Sequence, residues 1–272
     1  MKVDFLIPCR IESEDRLRNI ITSVSYLLYH FPESKVIVKE VDKRSNFKFR
    51  AIPEIKKYVG IENLNHIFEE SEDDFFHKTR ILNDLLIESS SDIVFNHDVD
   101  MILPVSTYHH AYSAIIQGNC DVIYPYGCGA YQRAVNYPME VYEGFLNSKF
   151  DPKILIENSQ KASSTIGWGQ MIKRSTYIDC GMWNENFISW GAEDCEFYYR
   201  LASFGYKMGR VNDLIYHLEH GRTFNSHYHN PKFSDNHNLW QWIRKQNTDT
   251  LVNYYNQQEY YKERRKQLNV SV

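Results

Sequence analysis

Apolar residues alternate between short runs and helical stripes along the first half of the chain. Residues 3–7 form an apolar run ended by Pro8, which predicts a buried first strand. Leu17, Ile20, Ile21, Val24, Leu27 and Leu28 then recur at helical spacing, predicting a helix opened by Ser13 and running to Tyr29. Residues 35–41 alternate and predict a second strand. Strand, helix, strand in this order is a βαβ unit, with a parallel sheet and a right-handed crossover. The pattern next predicts a short helix at 53–58, a short edge strand at 66–69, a helix at 76–88, a strand at 92–96, a helix at 104–117 and a strand at 121–126. From 127 to 163 it weakens, broken by Gly127, Gly129, Pro138 and Pro152, and only short helices are expected. Beyond it come a glycine-rich strand at 164–172, a helical turn at 176–180, a helix at 197–204 and a strand pair within 206–218. A helix or helix pair closes the chain at 239–267, with Trp240, Trp242 and Ile243 the first to be buried.

Composition narrows the class. The 272 residues suit one large α/β domain with a tail, or two small domains. A formal charge of −4 argues against a nucleic-acid partner, which would call for a basic footprint. The 5 cysteines are scattered without zinc-site spacing, so a reducing compartment is expected. The chain opens on a strand and holds no apolar run of membrane-spanning length, so a cytoplasmic enzyme is expected, at most peripheral to a membrane. Tyr260, Tyr261, Lys262, Arg264, Arg265 and Lys266 would allow membrane-surface contact, although a solvated helix end is the simpler reading.

The densest chemistry follows the strand at 92–96, which runs into a turn carrying Asp98 and Asp100. Two carboxylates two residues apart share a face of an extended segment, so both could reach one divalent ion, directly or through water. Hard oxygen ligands suit Mg2+ or Mn2+, which also take oxygens from substrate phosphates. The end of a strand in an open α/β sheet is where ligands bind. Lys78 and Arg80 oppose the dipole of their helix, and could meet phosphate or simply face solvent. Gly167 and Gly169 flank Trp168 and would let backbone approach a ligand. Glu193 and Asp194 follow Trp190, Gly191 and Ala192 at a helix N-terminus, where the dipole keeps acids ionised; a cap alone needs only one of them. His217 and His220 follow a late strand, where either could ligate a metal while the other orients substrate.

In this order the motifs resemble the GT-A glycosyltransferases, the inverting kind that uses nucleotide-sugars. The resemblance is greatest to the group of β-1,4-galactosyltransferases, polypeptide GalNAc-transferases and chondroitin polymerases. It spans roughly residues 3–222 and is most specific at Phe76-His77-Lys78-Thr79-Arg80-Ile81-Leu82-Asn83, at Asp98-Val99-Asp100-Met101-Ile102 and through 167–201. It implies an α/β fold: a single Rossmann-like nucleotide-binding GT-A domain with a mixed central sheet and a C-terminal helical extension. Residues 1–126 would form the nucleotide-binding half, 127–222 the acceptor-binding half and 223–272 a helical tail. Pro8 and Arg10 would hold the nucleotide, and Phe76, Lys78 and Arg80 would contact base and diphosphate. Asp98 and Asp100 would be the Asp-x-Asp motif, with Asp100 the direct ligand of Mn2+ or Mg2+ together with His217 or His220. Trp190 would lie on a loop that closes over donor and acceptor, and Trp168 beside the substrate. Glu193 and Asp194 would hold the acceptor, with Asp194 as base.

The implied reaction moves a sugar from a nucleotide-sugar, a UDP-sugar first among them, to a hydroxyl of a glycan or glycolipid. Cys195 stands where some members carry a third acid. The chain shows neither the membrane anchor nor the disulfides of luminal animal members, which favours a soluble microbial or viral-type enzyme. Two rivals stay open: a non-catalytic nucleotide-sugar or carbohydrate-binding protein, and a metal-dependent phosphohydrolase built on Asp98, Asp100 and His217, for which Asp4 would be a poor further ligand.

Overall fold

The first apolar run becomes β1 (Asp4–Cys9), buried at every residue. Ser13 caps α1 (Glu14–His30), its hydroxyl accepting the Arg16 N–H at 3.2 Å, and Glu14 and Asp15 suit the helix dipole. β2 (Lys35–Asp42) lies parallel to β1, from Asp4 opposite Lys35 to Cys9 opposite Glu40. The computed structural model describes residues 1–163 and 165–270.

After β2 a π-helical turn, Phe47–Ala51, runs into α2 (Ile52–Ile55), so the short helix begins earlier than the expected 53–58. β3 (Leu64–Glu70) is longer than expected because it pairs with β2 over its full length, Val36–Leu64 to Asp42–Glu70. α3 (Lys78–Glu88) starts two residues later than expected. The Phe76 N–H is instead donated to the Asn225 side chain. β4 (Ile93–His97), β5 (Met101–Ile102), α4 (Val105–Ile116) and β6 (Val122–Tyr124) follow.

The weak stretch holds β7 (Gln132–Val135), α5 (Met139–Asn147), α6 (Pro152–Glu157) and β8 (Ser159–Lys161). Its two strands were not expected; β8 is polar and largely exposed, so no alternation marks it. β9 (Gly169–Lys173) is shorter than the expected 164–172, whose Ser164 lies outside the described residues. Then come α7 (Arg174–Asp179), α8 (Glu193–Ser203), β10 (Met208–Arg210) and β11 (Ile215–Leu218). The chain closes with α9 (Phe233–Ile243), α10 (Thr248–Gln257) and α11 (Glu259–Gln267).

One sheet has 7 strands in the order β10-β6-β9-β4-β1-β2-β3, and a second has 4, in the order β5-β11-β7-β8. The first is parallel from β4 to β3 and mixed beyond, because β9 runs antiparallel between β4 and β6. β10 and β11 are not a pair: β10 joins β6 in the first sheet, and β11 lies between β5 and β7 in the second. The second sheet therefore brings β11 beside the segment that follows Asp100, with His217 opposite Met101.

The C-terminal helices pack onto the sheet domain. Ile243, Leu251 and Tyr255 cluster with Phe187, and Tyr261 joins the main core. Trp242 is 42% exposed, contrary to expectation, because Ile243 takes the inward position. Among the described residues no helix is long and apolar enough to cross a membrane.

Candidate functional site

β4 ends at His97, which pins the turn that follows. Its Nδ1 lies 2.7 Å from the Asp98 carbonyl and its Nε2 2.9 Å from the Tyr108 hydroxyl. Burial lowers its pKa to about 4, so the ring is neutral at pH 7.

Beyond this pin the two carboxylates separate. Asp98 faces α3, with the Lys78 ammonium 3.1 Å away. Burial raises the Asp98 pKa, and Lys78 opposes that rise. Asp100 faces the second sheet, and three groups converge on its Oδ2: Arg16 Nη1 at 2.7 Å, His220 Nε2 at 3.1 Å and His217 Nε2 at 3.7 Å. Burial alone would raise Asp100, but His217, His220 and Arg16 hold it well below the usual carboxylate range.

Asp100, His217 and His220 offer ligand atoms that all lie within 4.8 Å of one another. Both imidazoles have their other nitrogen engaged. His217 Nδ1 donates to Glu219 Oε1 at 2.7 Å, and His220 Nδ1 donates to the Gly221 carbonyl at 2.8 Å. Such partners fix the ring orientations and aim both Nε2 atoms toward Asp100, as at metal sites. One carboxylate and two imidazoles suit Mn2+ or a similar ion. The residues fit the cation that the Asp-x-Asp pattern implies, with Asp98 outside the ligand group. Burial lowers the His217 pKa, but the Asp100 and Glu219 carboxylates raise it on balance. Its ring also stacks on Trp168, with centroids 5.6 Å apart.

α8 supplies the other acids. It opens from a left-handed Ala192 (φ 66°), and Ser189 (φ 61°) and Gly191 (φ 128°) also have positive φ. Glu193 accepts the Gly191 N–H at 3.1 Å, which ties the strained loop to the helix. Trp190 within this loop stacks on Phe233 of α9, with centroids 5.4 Å apart. Asp194 lies 3.7 Å from the Lys78 ammonium. Its pKa is raised well above the ordinary value by burial and by Glu193 and Asp98, against the pull of Lys78. Gly167 makes room for it: a Cβ there would fall 2.1 Å from Asp194 Oδ2.

These groups line one cavity of about 570 Å3, which includes Pro8, Phe76, Lys78, Asp98, Asp100, Trp168, Trp190, Glu193, Asp194, His217 and His220. Arg10 and Arg80 do not line it. The Arg10 guanidinium donates to the carbonyls of Val41, Asp73 and Asp74, each at 2.9 Å, and braces the loop before α3. Arg80 pairs with Glu69 at 2.7 Å on the outer side of α3. Asp4 accepts from Ser89 Oγ at 2.8 Å and from the Ser90 and Ser91 amides, a structural role that leaves the hydrolase reading without its extra ligand.

Sequence reasoning missed Arg16, Glu219 and Asn225, all of which line the cavity. Arg16 gave the same signal as Lys78, a cation in the first turn of a helix. Glu219 stands between the two histidines. Nothing in the polar loop around Asn225 marks it.

The sequence model of a family described as the N-terminal domain of galactosyltransferase matches residues 158–229, which hold Trp168, Trp190, the acidic pair and both histidines. No curated protein matches the sequence. Among solved structures, S. aureus TarS 1-349 in complex with UDP-GlcNAc is 16% identical, with a TM-score of 0.58 over 97% of this chain and 72% of that one. A longer S. aureus TarS is 14% identical, with a TM-score of 0.53 over 80% of this chain and 37% of that one. The Pyrobaculum calidifontis mannosyltransferase in complex with GDP-Man and Mn2+ is 15% identical, with a TM-score of 0.51 over 80% and 56%. At such identities the likeness is one of fold, and the chain spans only part of the longer neighbours. The fold is the expected GT-A arrangement, and together with the family match it supports a GT-A glycosyltransferase.

Proposed function

We propose that the chain is a metal-dependent inverting glycosyltransferase, which moves a sugar from a nucleotide-sugar to a hydroxyl of a glycan or glycolipid. The observation that carries this reading is the convergence of Asp100, His217 and His220 at one part of a cavity that also contains Asp194. The nucleotide-sugar class is supported by the complexes of two neighbours, one with UDP-GlcNAc and one with GDP-Man and Mn2+. A UDP-sugar is the donor to test first.

Asp100, His217 and His220 would hold Mn2+ or Mg2+. When bound, the ion supplies Lewis-acid stabilisation of the charge that develops on the departing nucleoside diphosphate. Lys78 holds a second positive charge between Asp98 and Asp194. Asp194 takes the proton of the acceptor hydroxyl as that oxygen attacks the anomeric carbon and the bond to the diphosphate breaks. Its upward-shifted pKa brings its basicity nearer to working pH. A single base acting on the acceptor hydroxyl gives a single displacement, hence inversion. Glu193 steadies the Trp190 loop, which excludes water when it covers the donor.

The test is nucleotide release from UDP-sugars with Mn2+, with and without a panel of sugar acceptors. Release that rises with acceptor supports transfer. Equal release without acceptor points to hydrolysis, and binding without release points to a carbohydrate-binding protein. A product of retained configuration overturns the single displacement. Asp194→Asn is expected to abolish transfer while keeping Mn2+ binding.

A further inference from the structure

The segment 221–232 leaves His220 and crosses to α9, and it is fastened at several points. The Gly221 N–H donates to Asp15 Oδ2 at 3.1 Å, and the Thr223 hydroxyl donates to Glu12 Oε2 at 2.5 Å. Thr223 and Ser226 form a capping box around a 3-10 turn, Phe224–Ser226, which buries Asn225.

The Asn225 amide uses its whole hydrogen-bonding capacity there. Its Nδ2 donates to Glu12 Oε1 at 2.7 Å and to the Asp74 carbonyl at 2.8 Å. Its Oδ1 accepts from the Phe76 N–H at 2.8 Å and from the Ser189 hydroxyl at 2.7 Å. Two donors and two lone pairs are all that an amide offers. The Ser189 hydroxyl in turn accepts from Asn230 Nδ2 at 2.8 Å. One buried side chain thus joins the β1–α1 loop, the approach to Lys78, the Trp190 loop and the arm that carries His220. No isostere can do this: aspartate loses both donations and sets a carboxylate against Glu12.

We propose that Asn225 is a positioning residue that couples the His220 arm to the Trp190 loop, so that metal ligands and loop assemble as one unit. The inference rests on the metal-dependent reading above. Coupling of this kind predicts that a change on the Trp190 loop alters metal affinity, although that loop supplies no ligand.

The experiment measures Mn2+ binding by calorimetry and Trp emission on the full chain, with Asn225→Asp, Ser189→Ala and the double variant. Asn225→Asp is expected to weaken Mn2+ binding about tenfold, the loss usual when a supporting contact of a metal site is removed. Ser189→Ala is expected to weaken it about threefold and to shift Trp emission, and the double variant to be no worse than Asn225→Asp alone. Unchanged Mn2+ affinity in Ser189→Ala, or strictly additive losses, overturns the coupling. Should Asn225→Asp fail to fold, Ser189→Ala still decides. His220→Ala separates the two readings. If it leaves Mn2+ binding intact, the metal assignment fails; if it abolishes binding while Ser189→Ala does nothing, only the coupling fails.

Discussion

The Lys78 ammonium stands 3.7 Å from the Asp194 carboxylate and 3.1 Å from that of Asp98. It opposes the rise that burial imposes on both acids. Replacing it removes an influence that lowers Asp194. In Lys78→Met the Asp194 pKa therefore rises further, the fraction in base form at pH 7 falls, and the acid limb of the pH–rate profile moves to higher pH. Transfer at pH 7 is expected to drop about 10²-fold. A profile whose acid limb stays in place would separate Lys78 from the base.

Arg200 is fully buried and bidentate to Glu196, with Nε at 2.7 Å and Nη2 at 3.0 Å. Its Nη1 donates to the carbonyls of Cys180 and Met182, each at 2.6 Å, and the Tyr255 hydroxyl of α10 donates to Glu196. The network begins two residues beyond Asp194 and fastens the C-terminal helices to α8. Arg200→Met leaves Glu196 buried without its cation and is expected to cost about 3–5 kcal/mol in urea unfolding. Adding Glu196→Leu removes the stranded charge and should recover most of the loss. On the same grounds, a chain cut after Arg222 is expected to be insoluble, which would make residues 223–272 part of the domain.

Burial would raise Glu69, but hydrogen bonds from Arg80 and Lys39 bring its pKa down from 4.5 to about 2. A carboxylate depressed on folding stabilises the fold above its unfolded value. This contribution is therefore complete above about pH 4.5 and is lost as pH falls through about 2. Glu69 is partly exposed, so solvent screening leaves about 1 kcal/mol. Glu69→Gln should lower stability by that amount at pH 7 and show no difference from the parent below pH 2. Urea titrations of both proteins at the two pH values check it.

How much could be read beforehand depended on where each signal resides. β1 and β4 carry apolar runs and β2 alternates apolar with polar residues, so local pattern reveals all three. β7 is Gln132-Arg133-Ala134-Val135, held by β11 and β8, and a strand defined by its partners has no pattern of its own. β10 and β11 are neighbours in the chain, yet they belong to different sheets. At the site, Asp100, His217 and His220 were legible as residue types that suit a metal. The turning of Asp98 toward Lys78 was not, because it follows from the way His97 and Tyr108 pin the end of β4. Arg10 and Arg80 carried the right charge, but nearby carbonyls and Glu69 claim them first. Asn225 was invisible because all four of its bonds reach residues distant in sequence or outside its own turn.

Gly167 offers the sharpest test of the Asp194 assignment. A Cβ at this position would lie 2.1 Å from Asp194 Oδ2 and 2.6 Å from its Cγ, both well inside contact distance. Its backbone carries no positive φ, so alanine is tolerated locally and the strain falls on the Asp194 side chain. The carboxylate must rotate or shift, and it can do so because the cavity lies beside it. Displacement of a reacting group by about 1 Å costs about 10²-fold in rate. Gly167→Ala should therefore keep near-parental stability and Mn2+ affinity, since Asp100, His217 and His220 are untouched, while acceptor-dependent transfer falls about 10²-fold. If the variant transfers sugar at the parental rate, Asp194 has no part in the reaction.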